Sequence, residues 1–583
     1  MRRISFIPPL RLVISVIVLM TAISQAATGV TSSTEPSPES KVDALFSKWN
    51  TLDSPGAAVA IVKEGMVIYR RGFGCAQLEY GIPITPSTVF HVASVSKQFT
   101  AMAITMLEAA GKLSADDDIR KYLPELADFG KTITIRHLLN HTSGLRDQWE
   151  LLILSGWRMD DVITQAQIMD RLRRQKELNF PPGEQYLYCN SGFTLLAEIV
   201  SRVSGQPFTE WTRENIFKPL GMTSTHFHMD HQEIVKNRAY SYDGDPAKGY
   251  DAAVLNYANV GATSLFTTVE DMANWLRNFE DRRVGGAAVL DKMLTKGVLN
   301  NGSEIPYGRG IQIEEYKGLK YIGHSGADAG FRSDVIYFPV EKFGVAVFSN
   351  LASFSPGSLT RQIADIYLGS KFKQPESASP GAETPAAKPA LQPVSLPAKS
   401  LKAFTGSYWI ETNQVNRTIV LDKDKLLYVR SKDNKSELVP VSQTEFMMKD
   451  IPTHVLVSFA NKTANGYETF TVTEDNMPPV VGKRREPYSP AEEALKEYAG
   501  KYYSDELDTR YDLTLKSGVL HVQIGHSEEI PVMPQKKDFF SAGDFAKIQF
   551  QRDGSGAIDG FAVSTGRVRN LKFRKLKPAI GDE

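Results

Sequence analysis

A segment rich in proline, alanine and serine divides the chain into parts that must fold separately. It covers residues 371–396 of the 583 and reads "KFKQPESASPGAETPAAKPALQPVSL". This composition favours a semi-extended linker over a packed core. The chain is also too long for one compact core, so we expect two to four domains with one boundary at this linker.

The part after the linker contains an internal repeat. "LKAFTGSY" from Leu401 returns as "LKEYAGKY" from Leu495, and a proline and a phenylalanine further on return at the same offset. Both copies alternate apolar and polar residues, as in "TIVLDKDKLLYV" and "YDLTLKSGVLHV", which is typical of β-strands. We therefore expect two small all-β domains of barrel or sandwich type, at residues 397–488 and 489–583.

The part before the linker, residues 42–370, begins and ends with strand patterns. "AAVAIVKEGMVIYRRGFG" predicts two strands around a Lys-Glu-Gly turn, and "RSDVIYFP" and "FGVAVFSN" predict strands near the end. Helical patterns such as "SGFTLLAEIVSRVSG" lie between them. This arrangement favours an α+β domain in which the two ends share one sheet.

The N-terminal sequence predicts export. Residues 1–26 place arginines before an apolar stretch and end on "SQA", the order found in a cleavable secretory signal peptide. An uncleaved anchor is the weaker alternative, because the apolar stretch is shorter than the roughly 20 residues that span a bilayer. Residues 27–41 form a polar tether. We expect a periplasmic or secreted protein with no stable membrane span after cleavage.

Composition argues against several kinds of partner and scaffold. Lysine plus arginine and aspartate plus glutamate each number 67, so the formal net charge is zero. With no basic arm or patch, nucleic-acid binding is not expected. The only cysteines, Cys75 and Cys189, exclude a disulfide framework, and no Cys/His cluster has structural-zinc spacing. Two unrelated thiols are favoured over one bridge.

The stretch "HVASVSKQFT" contains a serine and a lysine that could act together. On a helix, Ser94 and Lys97 share a face, so the lysine amine can take the proton of the serine hydroxyl. Burial lowers a lysine pKa and favours the neutral amine. The structural alternative is that Ser94 caps the helix while Lys97 extends to solvent. The pair alone is not diagnostic, because Ser370 and Lys373 repeat it.

A second element is the turn and helix start "PPGEQYLYCNSGF". The Tyr188 phenol could act as a general acid or base, and the Asn190 amide could hold the lysine and a substrate carbonyl. Another Tyr-x-Asn, Tyr257 to Asn259, lacks the preceding turn and the following helix. We treat that copy as the weaker candidate.

A third element, His324-Ser325-Gly326-Ala327, ends a predicted strand. Glycine allows a ligand close to the backbone, and an extended substrate could pair along this edge. The N–H of Ala327 would then complete an oxyanion hole with that of Ser94. A purely structural role for His324 in a turn is the alternative.

The order of the three elements resembles the penicillin-recognising serine hydrolases related to class C β-lactamases. "VFHVASVSKQFTAMAI", "TIRHLLNHTSGL" and "GHSGADAGFRS" extend the resemblance over roughly residues 42–370. It implies a β-lactamase/transpeptidase-like domain, an antiparallel sheet flanked by helices plus a helical lobe, with the site between them.

The same resemblance implies roles for the residues. Ser94 would be acylated, and Lys97 and Tyr188 would share proton transfer. Asn190 would position the substrate, and His324 would contact it where relatives commonly have lysine. Histidine is mostly neutral at pH 7, whereas lysine is a fixed positive charge suited to a carboxylate.

The two barrels after a His-x-Gly catalytic domain resemble the architecture of the bacterial D-aminopeptidases. In that group a C-terminal barrel contributes to the substrate site, which implies a substrate with a free amino terminus. The leading hypothesis is an exported serine hydrolase that acts through a Ser94 acyl-enzyme on small peptides or amides, including D-stereospecific aminopeptidase activity.

Two other functions stay open. One is an esterase or weak β-lactamase that uses the same site. The other is a non-catalytic cell-wall-binding protein whose barrels act as binding modules. The proposed chemistry is complete with serine, lysine and tyrosine, so we expect no metal and no organic cofactor. The sequence is compatible with an oligomer.

Overall fold

The computed structural model describes residues 36–373 and 392–577, apart from 413, 431–433, 450–454, 475–477, 526 and 544. The predicted signal peptide and most of the predicted linker therefore lie outside the described residues. Among the described residues, no helix is long and apolar enough to cross a membrane.

The elements of the first domain are numbered in chain order. Its helices are α1 Pro38–Phe46, α2 Ser96–Ala109, α3 Ile135–Leu139, α4 Gln148–Leu154, α5 Gln165–Arg173, α6 Asn190–Ser204, α7 Phe208–Thr212, α8 Lys218–Leu220, α9 Val269–Asp281, α10 Gly286–Met293 and α11 Pro356–Leu368. Its strands are β1 Ala57–Lys63, β2 Met66–Phe73, β3 Cys75–Gln77, β4 Ile82–Pro83, β5 Phe90–His91, β6 Ile163–Thr164, β7 His226–Phe227, β8 Tyr242–Asp245, β9 Gly249–Ala252, β10 Tyr257–Ala258, β11 Leu265–Thr267, β12 Gln312–Tyr316, β13 Leu319–Asp328, β14 Phe331–Phe338 and β15 Phe343–Ser349.

The predicted C-terminal boundary of the polar tether, residues 27–41, is wrong, because α1 begins at Pro38, inside that range. Ser37 accepts a hydrogen bond from the Ser40 N–H, and Pro38 occupies the first turn, where its missing N–H costs nothing. Val42 and Phe46 on this helix are fully buried. Capping and apolar packing thus order a segment whose polar composition predicted a tether.

Strands from both ends of the first domain form one six-stranded antiparallel sheet, as predicted. Its order is β12-β13-β14-β15-β1-β2, which places the N-terminal hairpin beside the C-terminal strands. Alternate residues of β1 enter two separate cores, because successive side chains on a strand point to opposite faces. Helices α1 and α11 cover one face, and the helical part of the domain covers the other.

Helix α2 runs through the middle of the domain and is buried along most of its length, as its apolar sequence predicted. A tight 3₁₀ turn, Ala93–Val95, leads into it and carries Ser94. The Ser96 hydroxyl is occupied structurally, since it donates to the Ala93 carbonyl and accepts from the Leu265 N–H. The turn and the first residues of α2 are therefore fixed against β11.

The chain after the linker forms two closed eight-stranded antiparallel barrels, which confirms the predicted fold class. The first comprises α12 Ala398–Leu401 with β16 Gly406–Ile410, β17 Val415–Asp422, β18 Lys425–Val429, β19 Lys435–Pro440, β20 Glu445–Met448, β21 Val455–Thr463, β22 Gly466–Glu474 and β23 Val480–Arg484. The second comprises α13 Glu492–Lys496 with β24 Gly500–Ser504, β25 Thr509–Lys516, β26 Val519–Ile524, β27 Ile530–Lys536, β28 Phe539–Ala542, β29 Ala546–Arg552, β30 Ile558–Ser564 and β31 Leu571–Lys575.

The repeat in the sequence corresponds to a repeat in structure. Pro440 lies opposite Phe446 in the first barrel, and the equivalent proline and phenylalanine lie opposite each other in the second. The buried Tyr408 hydroxyl donates to the Phe404 carbonyl four residues earlier, and Tyr502 repeats this bond in the second barrel. Such matched contacts indicate that both barrels close in the same way.

The two barrels differ in how they pack. The core of the first barrel is a separate cluster, whereas the core of the second is continuous with that of the first domain. The buried Tyr511 hydroxyl of the second barrel donates to the carbonyl of Leu154, at the end of α4, at 2.7 Å. The second barrel is therefore built onto the helical lobe and can contribute residues to a site there.

Candidate active site

Ser94 and Lys97 lie within hydrogen-bond distance in the middle of the first domain. The Lys97 side chain is fully buried, and its Nζ lies 3.0 Å from Ser94 Oγ, 2.9 Å from Asn190 Oδ1 and 2.7 Å from the Ala262 carbonyl oxygen. A neutral amine has two N–H bonds and one lone pair. With its N–H bonds directed at Asn190 and Ala262, the lone pair remains for the Ser94 hydroxyl.

The environment of Lys97 favours that neutral form. The pKa of Lys97 is lowered to about 7, mainly by burial and to a smaller extent by the Arg567 charge, while the carboxylates of Asp328 and Asp147 oppose this shift. Desolvation disfavours the ammonium because the interior cannot replace its hydration. A large fraction of Lys97 is therefore available as a proton acceptor near neutral pH.

Asn190 is held in one orientation by Asp147, a residue that the motif reasoning did not identify. The Asn190 N–H and Nδ2 donate to Asp147 Oδ2 at 2.7 and 2.8 Å, so Oδ1 of the amide faces Lys97. Asp147 is buried and also accepts from the Trp149 N–H as the cap of α4. The predicted substrate contact of Asn190 stays a prediction, since in this structure its amide holds the lysine.

Tyr188 places its ring beside the lysine. Its ring centroid lies 4.9 Å from Lys97 Nζ and 4.2 Å from the ring of the buried His141. Burial raises the pKa of Tyr188, and the neighbouring Ser94 hydroxyl opposes that shift. The Tyr188 hydroxyl has no hydrogen bond of standard geometry to any described residue. At neutral pH this phenol is a proton donor, so the acceptor role falls to Lys97.

Among the described residues, the third predicted element has one strand edge that pairs with no other strand, and this edge lies beside the Ser94 turn. On one side β13 pairs with β12 only as far as Gly323, whereas its other side pairs with β14 through Asp328. A Cβ on Gly326 would lie 3.0 Å from the Ser94 nitrogen and 2.3 Å from the Val92 carbonyl oxygen. Only glycine therefore lets this strand approach the nucleophile turn so closely.

Other members of that element face different surroundings. Ser325 and Ala327 are exposed, whereas His324 is buried. The His324 ring has both nitrogens engaged, with Nδ1 2.6 Å from the Ser325 carbonyl oxygen and Nε2 3.0 Å from the Tyr307 hydroxyl. Burial lowers the pKa of His324 to about 3, and the charge of Lys97 adds to the effect. His324 therefore supplies no positive charge at neutral pH.

A cation reaches the same region from the second barrel. Arg567, in the loop between β30 and β31, places its guanidinium 5.1 Å from the Tyr188 ring centroid and 3.9 Å from the Asp147 carboxylate. Its side chain is 41% exposed, so part of the charge is accessible to solvent. No sequence motif predicted a role for this arginine. It lies more than two hundred positions from the other site residues along the chain and is close to them only in the folded structure.

The loop that carries Arg567 is fixed to the first domain. The Arg567 N–H donates to Glu150 Oε2 at 2.6 Å, and its carbonyl accepts from Asn179 Nδ2 at 2.9 Å. The same carbonyl accepts from the Asp147 N–H, and Arg569 N–H donates to Asn179 Oδ1. These hydrogen bonds fix the position of Arg567 beside Tyr188 and Asp147.

The remaining sequence candidates lie apart from this cluster. Tyr257 is buried with its ring stacked 4.7 Å from that of Trp149, and within the described residues no hydrogen bond joins Tyr257 or Asn259 to the serine or the lysine. Cys75 and Cys189 are both buried free thiols. Cys189 packs next to Asn190, and burial raises its pKa to about 12.

The chain is similar to several known proteins. Residues 42–368 match the Beta-lactamase family model. A D-aminopeptidase of Brucella anthropi is 33% identical over 279 residues, covering 48% of this chain and 52% of that protein. A second alignment to a D-aminopeptidase of Brucella anthropi is 26% identical and covers 90% of this chain and 96% of the relative.

A solved structure shares the architecture as well. The octameric penicillin-binding protein homologue from Pyrococcus abyssi superposes with a TM-score of 0.53 at 25% identity, covering 76% of this chain and 99% of that one. The family match spans more than half of the present chain and includes every residue of the Ser94–Lys97 cluster except Arg567. The chain therefore belongs to the Beta-lactamase family and is a serine hydrolase of that family.

Proposed function

We propose that this protein hydrolyses small peptides or amides through an acyl-enzyme at Ser94. The observation that carries the proposal is the position of Lys97, whose buried amine lies 3.0 Å from Ser94 Oγ with its two other contacts made to acceptors. A lysine held in this way can take the serine proton when the hydroxyl attacks a carbonyl carbon.

The residues suffice for both halves of the reaction. As the Oγ–C bond forms, the Ser94 proton passes to Lys97 Nζ. The carbonyl C–N bond then breaks as this proton passes from Lys97 to the leaving amine, directly or through the Tyr188 hydroxyl, which leaves Lys97 neutral again. Water next attacks the ester with Lys97 as base, which releases the acid and restores the Ser94 hydroxyl. The backbone N–H groups of Ser94 and Ala327 would stabilise the oxyanion in both steps.

The pH dependence of acylation should follow Lys97. Because only the neutral amine accepts a proton, kcat/KM should rise with pH through about 7, the pKa of Lys97, and level off above it. The measurement is kcat/KM for an uncharged p-nitrophenyl ester across this range, corrected for spontaneous hydrolysis. His324→Gln should keep the same midpoint, because that imidazole is already neutral. A flat profile, or a midpoint that moves with His324, would contradict the assignment.

The finer part of the proposal is D-stereospecific aminopeptidase activity. It is supported by D-aminopeptidases that are 25–27% identical and align with 90–92% of this chain. The test is release of p-nitroaniline from D-alanine and L-alanine p-nitroanilides by the untagged protein. We expect D over L selectivity of about tenfold or more, since selectivity reflects differential transition-state binding. Equal rates, or no release while an ester still turns over, would remove the aminopeptidase assignment and retain the acyl-enzyme.

Arg567 favours a second candidate, a hydrolase of amides or esters whose acyl part carries a carboxylate. The guanidinium is half-exposed at the site, and like charge disfavours a substrate ammonium there. Asp147, the acid next to it, is buried and already accepts bonds from Asn190, so it cannot pair with a substrate amine.

The same assay separates the two candidates when N-succinyl-D-alanine p-nitroanilide is added. The aminopeptidase reading expects the free amine to react faster, and the second candidate expects the succinyl compound to react faster. In the second case Arg567→Gln should lower kcat/KM for the succinyl compound by about tenfold or more, the value of a hydrogen bond to a charged group, and leave the free amine unchanged. Arg567→Lys, which keeps the charge, is the matched control.

We also propose that the hydrolase acts outside the cytoplasm. The support is the order of charged, apolar and small residues within positions 1–26, which lie outside the described residues. Cell fractionation with N-terminal sequencing of the mature protein tests this part independently of activity. A protein retained in the cytoplasm with residues 1–26 intact would contradict it.

A further inference from the structure

Two imidazoles and a carboxylate cluster outside the candidate active site. His226 lies on β7, His228 follows that strand, and Glu233 lies in the segment after it. We propose that these three side chains bind a divalent transition-metal ion, with zinc(II) as the ion of best-matched chemistry. The inference is independent of the hydrolase reaction, which needs no metal at Ser94.

The spacing of the ligand atoms fits one ion. His226 Nε2 lies 3.4 Å from His228 Nδ1, His228 Nδ1 lies 3.8 Å from Glu233 Oε2, and the three groups offer atoms within 4.8 Å of one another. A tetrahedral zinc ion bound at about 2.0–2.1 Å holds its ligand atoms roughly 3.3 Å apart. The two imidazole nitrogens already have this separation, and the flexible glutamate needs only a small movement.

The strand forces both imidazoles to the same side. Phe227, between them, points into the core, where its ring lies 4.7 Å from Phe208 and 5.9 Å from Phe217. Because side chains alternate along a strand, His226 and His228 face away from that core. Both rings pack on Phe266, at 5.7 and 4.7 Å, which limits their rotation. The imidazole pair is therefore held in place before any ion binds.

The surroundings of the two imidazoles bear on cation binding. Nε2 of His228 is buried without a hydrogen-bond partner among the described residues. The charge of Arg238 opposes a cation here, while the carboxylates of Glu233 and Asp230 favour one.

Solvent has access to the cluster from two sides. Cavities of about 760 and 490 Å³ adjoin it, and His226 and Glu233 line both of them. Imidazole ligands suit zinc, copper and nickel, whereas calcium and magnesium prefer oxygen ligands alone. The cluster contains no cysteine, which is why the spacing rules for structural zinc did not predict it from sequence.

Calorimetric titration of the untagged, chelator-treated full chain with zinc chloride tests the proposal. We expect one zinc ion per chain with a Kd of about 10 µM or tighter, and a higher Tm when zinc is present. Glu233→Gln changes an exposed side chain and should fold normally, yet it should weaken binding about tenfold or more, as should His226→Ala. His231→Ala, which removes an exposed histidine of the same segment, is the matched control and should leave the Kd unchanged.

The other outcomes overturn the proposal. These are no zinc binding by the unmodified chain, binding that persists in both Glu233→Gln and His226→Ala, equal loss in His231→Ala, and calcium binding as tight as that of zinc. Zinc K-edge absorption of the loaded protein gives a second readout, in which two imidazole ligands are expected and their absence would contradict the site. Activity is not needed for either measurement.

Discussion

Replacing Ser94 by alanine is expected to lower kcat/KM for amide and ester substrates roughly 10⁴-fold or more, the scale seen when a nucleophile is removed. Lys97 would keep its contacts to Asn190 and Ala262, so the fold should be retained. The measurement is p-nitroaniline or p-nitrophenol release under single-substrate conditions, with the Tm recorded for both proteins.

The chain supplies its own control for this experiment. Ser370 and Lys373 repeat the Ser-x-x-Lys spacing, but Ser370 is exposed at the end of the first domain. Ser370→Ala should therefore leave both activity and Tm unchanged. If Ser94→Ala kept more than a few per cent of the activity with its Tm intact, another nucleophile would have to carry the reaction.

Removing Glu506 is expected to destabilise the attachment of the second barrel by about 3–5 kcal/mol, because it takes the nearest counter-ion from a buried guanidinium. Arg146 on the first domain is fully buried, and its Nη1 donates to Glu506 Oε2 at 2.5 Å. Glu506 also accepts from the Lys176 N–H, and its side chain is only 6% exposed. Glu506→Ala therefore removes the acceptor of both the Arg146 guanidinium and the Lys176 N–H.

Urea denaturation of the full chain measures the loss in the free energy of unfolding. Limited proteolysis separately measures how readily the connection between the first domain and the second barrel is cleaved. Glu177→Ala is the matched control, because Glu177 lies 3.9 Å from the same arginine but is 42% exposed. That change should cost less than about 1 kcal/mol, as exposed ion pairs usually do. Equal losses for the two variants would show that the buried pair does not hold the barrel.

The sequence alone was sufficient to predict those features that depend on residues close together along the chain. The Ser-x-x-Lys spacing placed two side chains on one helical turn, and period-2 patterns with a repeated Leu-Lys motif predicted two all-β units. Both follow from chain-local geometry, which a sequence records directly. The start of α1 inside the predicted tether was missed, because a cap and two buried side chains outweighed the polar composition around them.

The tertiary structure decided the charge and the boundary of the candidate site. The lowered pKa of Lys97, the two hydrogen bonds of Asn190 to Asp147 and the neutral His324 all depend on burial and on partners distant in sequence. Arg567 enters the site only because the second barrel packs on the helical lobe and its loop is bonded to Glu150 and Asn179. Motifs specify which groups can react. Desolvation and long-range packing set the protonation of those groups and the charge that a substrate meets. Desolvation and packing depend on distances in space, which the order of residues along the chain does not give.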